Sequence, residues 1–157
     1  MTEKAKSYGA QFHPLGLGRG VAQRGIWTQT DTSDVAAEYE LKSLQEIKRS
    51  LAILDRPIDI LKVDIEGYEL QAFDDILAKC DANVREVQVE LHWVDRSVDK
   101  HSLSKDAHHA SIERRLQSFF KSMRACNFYI YNKELSYFAQ GWKAVELCFV
   151  NMSHFLL

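Results

Sequence analysis

The stretch IDILKVDIEGYEL (58–70) constrains this 157-residue chain more than any other. Its first eight residues have a strand's composition and apolar side chains on both faces, as expected of a strand covered by helices on both sides. It then turns through Asp64, Glu66 and Gly67 into a helical pattern over 67–79, with Leu70, Phe73, Ile76 and Leu77 on one side. REVQVELHWV (85–94) reads as the next strand. Strand, helix, strand is a βαβ unit, which requires parallel strands and a right-handed crossover. The chain is therefore expected to be an α/β protein, and ligands in such sheets bind outside the carboxyl ends of the strands. Two carboxylates at the end of the most strand-like segment are thus placed where chemistry is expected.

Other segments fit around that unit. Tyr8 to Leu15 reads as a strand ending in the cluster Gly16, Gly18, Gly20, and residues 19–40 are polar with little periodicity. Ser43 to Leu54 reads as a helix, with Leu44, Ile47, Leu51 and Leu54 on one face and Ser43 and Glu46 in capping-box spacing. Ser111 to Arg124 is a second amphipathic helix. Phe128 to Tyr131 and Ala144 to Asn151 read as strands with no helix between them, hence an antiparallel hairpin. The whole chain, 1–157, is long enough for one domain with its own core.

Charge and cysteine usage narrow the classes. A net charge of −2 gives no bulk attraction to nucleic acid or anionic membrane. No apolar run of membrane-spanning length occurs, and the N-terminus has no signal-peptide apolar region. A cytoplasmic location is the default expectation. Cys80, Cys126 and Cys148 are odd in number and form no CxxC pair, so free thiols in a reducing compartment are expected.

Asp64 and Glu66 are two residues apart and share one side of the strand end. Glu90 and His92 are likewise two apart near the end of the neighbouring strand, so all four are expected to converge on one crevice. Asp64 and Glu66 have a second reading, as caps for the helix that follows. His92 can equally be a half-buried histidine. The four residues suit a metal by ligand type, but their spacing is not diagnostic and no metal is assigned. The polar segment from Asp95 to Ala110 reads as a loop or lid over the crevice, its His101, His108 and His109 solvated, and Trp93 and Trp142 are candidates for an acceptor pocket or for ordinary packing.

IDILKVDIEGYEL resembles the signature block of the FkbM-like and related methyltransferase-domain families of class I S-adenosylmethionine-dependent methyltransferases. FHPLGLG (12–18), VQVELHW (87–93) and AVELCFVN (144–151) resemble the same families in the same order. The resemblance implies a partial Rossmann-like fold, a mostly parallel sheet ending in an antiparallel hairpin. It implies methyl transfer from S-adenosylmethionine to a small-molecule or glycan hydroxyl. In that reading His92 is the general base, Asp64 and Glu66 orient the acceptor or His92, and Glu90 is structural. Five strands are countable, corresponding to the third to seventh of the family's seven. The strand bearing the glycine-rich cofactor loop is missing, and Gly16, Gly18 and Gly20 are weak candidates for it: a lone glycine triplet is a weak signal, residues 21–57 leave too little room for the strands that should follow, and the simpler reading is a turn with glycine at φ > 0. The alternative is a non-catalytic remnant that associates with a partner, or with itself, through an exposed sheet edge.

Overall fold

The computed structural model describes residues 7–13, 15–18, 24–27, 37–80, 83–92, 105–138 and 141–155. These build two sheets. In the smaller, β1 (Gly16–Leu17) pairs parallel with β3 (Ala37–Lys42), which pairs antiparallel with β2 (Arg24–Trp27). The larger has the order β4-β5-β7-β6. There β4 (Ile58–Val63) and β5 (Val84–His92) are parallel, and β7 (Gly141–Asn151) runs antiparallel to both β5 and β6 (Phe128–Phe138).

The α/β class and the parallel βαβ unit are thus present. The sheets are mixed rather than mostly parallel, because each contains a parallel pairing beside antiparallel ones.

Among the described residues three α-helices accompany the sheets: α1 (Leu44–Ser50), α2 (Glu69–Ala78) and α3 (Lys105–Ala125). The capping box is formed. Ser43 Oγ accepts from Glu46 N–H at 3.3 Å, and Glu46 Oε2 accepts from Ser43 N–H at 2.8 Å. The helix stops at Ser50 rather than running to Leu54, because the chain turns through Ala52 at φ 55° and Leu54 swings out to 38% exposure.

Helix α3 begins at Lys105, so the segment read as loop to Ala110 is helical in its last six residues. Its polar first turns carry no apolar stripe to reveal them. The rest of that segment, with Trp93 and His101, lies outside the described residues, as do the side chains of His108 and Trp142. His109 is exposed on α3. No helix among the described residues is long and apolar enough to cross a membrane.

The core lies where α2 and α3 cover one face of the larger sheet. Leu70, Phe73, Ile76 and Leu77 of α2 and Phe119 and Met123 of α3 pack on Val63, Val87, Val89, Leu91, Leu147 and Phe149. Phe119 stands edge-on to Phe73 at 5.2 Å and to Phe149 at 5.9 Å, a favoured aromatic geometry. On the opposite face, Glu86, Gln88 and Glu90 alternate with the buried valines, and Ile60 is 56% exposed. The expectation that β4 is covered on both faces does not hold among the described residues.

Two further expectations fail for definite reasons. Cys80 and Cys126 are joined by a disulfide, their Cα atoms 5.0 Å apart, and only Cys148 is free. They lie 46 residues apart in sequence, where neighbouring helices end, so local spacing could not pair them.

The expected strand over 8–15 does not form among its described residues. The extended residues are Gly16 and Leu17 themselves, with Gly18 N–H donating to Lys42 C=O at 2.9 Å. A Cβ on Gly18 would stand 2.9 Å from Leu41 Cβ, so glycine here serves close strand packing. Neither Gly16 nor Gly18 has positive φ, so neither supplies the turn position expected of the triplet; Gly20 lies outside the described residues.

Candidate active site

The cluster forms at the carboxyl end of β4 and β5, in the connection from β4 to α2. Asp64 and Ile65 leave the strand. Glu66 and Gly67 follow with φ 56° and 99°, and Tyr68 N–H reaches Ile65 C=O at 3.4 Å. Two successive positive φ values make a tight turn of the primed kind. Glycine accepts this freely, whereas glutamate in that region carries a cost of about 1–2 kcal/mol. Glu66 is therefore held there by its surroundings.

What holds it is Glu69, the first residue of α2. The residue is almost fully buried, its side chain 2% exposed. Oε1 accepts from Ile65 N–H and Gly67 N–H, both at 3.0 Å, and Oε2 is 3.1 Å from Gly67 N. Oε1 also lies 3.0 Å from His92 Nδ1 at the end of β5. The other imidazole nitrogen, Nε2, faces Glu66 Oε2 at 3.7 Å.

Asp64, Glu66 and His92 are thus brought together as the sequence reading expects. Glu90 sits one pleat before His92, opposite Glu146 of β7, and adds negative charge near the ring. Glu146 is engaged by Lys62 at 2.7 Å. Neither Asp64 nor Glu66 caps α2: the N-cap residue is Tyr68, which makes no side-chain capping bond. The carboxylate that satisfies the turn's N–H groups is Glu69. It is the last residue of the E-G-x-E block, yet it received no role from the sequence. A glutamate two residues after a turn glycine, opening a helix, was the available signal.

The electrostatics follow from these contacts. The hydrogen bond to Glu69 holds the His92 pKa above its ordinary value. Burial works against that rise, and the charges of Glu69, Glu66 and Glu90 reinforce it. For Glu69, burial pushes the pKa up, but the bonds from His92 and Gly67 and the imidazolium charge prevail and hold it below its ordinary value.

Ligating atoms of Asp64, Glu69 and His92 lie within 4.8 Å of one another, a separation at which a divalent cation could also be held. A separate cleft of about 300 Å³ lies between α1 and α2, lined by Ser43, Glu46, Arg49, Asp75 and Lys79 among others. It shares no residue with this cluster.

A sequence-family model described as "Methyltransferase domain" matches residues 2–151. No curated protein and no solved structure matches the chain significantly.

Proposed function

The chain belongs to this methyltransferase-domain family, and from that premise we propose that it transfers a methyl group from S-adenosylmethionine to the hydroxyl of a small-molecule or glycan acceptor. The larger sheet fits the hairpin-ended half of a Rossmann-like class I methyltransferase. The observation that carries the reading is His92, held between Glu69 and Glu66 at the carboxyl end of β4 and β5.

S-adenosylmethionine, when bound, supplies an electrophilic methyl group on a cationic sulfonium. The chain's own residues prepare the acceptor. With Nδ1–H donated to Glu69, neutral His92 offers the Nε2 lone pair, which takes the hydroxyl proton as the oxygen gains its methyl group. The imidazolium so formed is stabilised by the carboxylates beside it. Asp64 and Glu66, both exposed, orient the hydroxyl. Their charge, with that of Glu90, also suits a cationic donor.

The glycine triplet does not fit a cofactor cradle at Gly18, where Leu41 occupies the space that a ligand would need. That packing favours a second reading, a non-catalytic α/β domain that works by association.

Calorimetric titration of S-adenosylmethionine and S-adenosylhomocysteine into the folded chain separates the two. Micromolar binding is expected, with transfer lost and binding kept in His92→Gln. A folded chain that binds neither compound overturns the enzymatic reading in favour of the second.

A further inference from the structure

We infer that Glu69 is a positioning residue for the whole cluster: its buried carboxylate locks the Asp64–Tyr68 turn and the His92 ring into one unit and leaves Nε2, on the side facing Glu66, as the basic nitrogen. This role deepens, and rests on, the reading of His92 as the base.

A carboxylate on a side chain 2% exposed persists as an anion only when its oxygens are satisfied. Glu69 meets that condition with three donors from two places, the N–H groups of Ile65 and Gly67 and the Nδ1–H of His92. An ionised carboxylate only accepts, so the proton of neutral His92 belongs on Nδ1 and the lone pair on Nε2.

The two backbone N–H groups flank Glu66. The residue between them is the one at φ 56°, and its carboxylate is the group opposite Nε2. Asp64 directly precedes Ile65. One side chain therefore fixes the backbone that carries Asp64 and Glu66 and, from the next strand, the ring orientation of His92. A residue that only secured the turn would leave the imidazole free to choose its tautomer. One that only paired with the histidine would leave the turn amides unprotected. The observed contacts do both.

The test is NMR on the ¹⁵N-labelled chain, reading the His92 ring nitrogens and the amide exchange of Ile65 and Gly67 in wild type and Glu69→Gln. In wild type, neutral His92 should carry its proton on Nδ1. In Glu69→Gln the tautomer preference is lost and the two amides exchange roughly tenfold faster, the loss of one hydrogen bond.

Protonation of neutral wild-type His92 on Nε2 overturns the inference. So does a Glu69→Gln chain whose His92 tautomer and amide exchange are unchanged. The wild-type tautomer decides even where the variant does not fold. These readouts need neither cofactor nor acceptor. A chain that shows them all and binds no S-adenosylmethionine sinks the methyl-transfer reading while the positioning role stands.

Discussion

A histidine whose two nitrogens face two different carboxylates has its protonation set by both, and His92 is such a residue. Because its pKa is raised, the neutral form that can accept a proton dominates only at higher pH. Methyl transfer should therefore climb as pH rises through a midpoint above 6.5. His92→Gln should lower the rate by about 10²–10⁴ and leave cofactor affinity unchanged, as radiolabelled methyl transfer beside calorimetry would show. A divalent cation drawn to Asp64, Glu69 and His92 would occupy the base, so added Zn²⁺ should inhibit rather than activate.

Stability is linked to the same groups. The contribution of His92, whose folded pKa is raised, is full below its unfolded value of 6.5 and is lost as pH rises through the folded value. That of Glu69, whose folded pKa is lowered, is full above its unfolded value of 4.5 and is lost as pH falls through the folded value. Both act between 4.5 and 6.5. With Glu66 and Glu90 beside the ring on the same cluster, melting temperatures across pH 4 to 9 should show a component peaking in that window. The component should vanish in His92→Gln.

At the scale of elements, the smaller sheet depends on Gly18 and the helical layer on Cys80–Cys126. Gly18→Ala forces its Cβ to 2.9 Å from Leu41 Cβ and should destabilise by roughly 1–3 kcal/mol, read from urea midpoints. The disulfide closes a loop over a separation of 46 residues, for which chain entropy gives roughly 4 kcal/mol. Reduction should lower the melting temperature, and Cys80→Ser should do so without added reductant.

These elements also show what the sequence could and could not reveal. β5 was legible because Val87, Val89 and Leu91 alternate with polar residues, and α2 because Leu70, Phe73, Ile76 and Leu77 repeat at helical spacing. The hairpin reads too short because irregularities between Ile130 and Asn132 and between Ser136 and Tyr137 break the two-residue alternation along β6. β2 and β3 fell in the stretch read as polar and aperiodic, although AEYELK alternates Ala37, Tyr39 and Leu41 with charged residues at strand spacing, the signal that was available. The convergence of Asp64, Glu66 and His92 followed from strand ends alone. Glu69 did not, because its role depends on a contact across 23 residues to another strand.

For the whole molecule, the order β4-β5-β7-β6 leaves β4 at one margin of the larger sheet, with no further strand paired to it among the described residues. An edge strand presents a row of unsatisfied N–H and C=O groups and is usually protected by charges. β4 carries two charged side chains, Asp59 and Lys62, but both are engaged within the sheet. Asp59 pairs with Arg85 at 2.7 Å and Lys62 with Glu146 at 2.7 Å. Between them Ile60 stands 56% exposed. A neutralised, partly apolar edge favours pairing with the same edge of a second copy, which would extend the sheet without rearranging its core. Sedimentation velocity over a range of micromolar concentrations should show reversible dimerisation. Ile60→Lys, which adds an unpaired charge at mid-strand, should return the chain to monomer with its melting temperature nearly unchanged, because that side chain is exposed. A wild-type chain that stays monomeric throughout the range would assign the margin of β4 to another strand or to solvent.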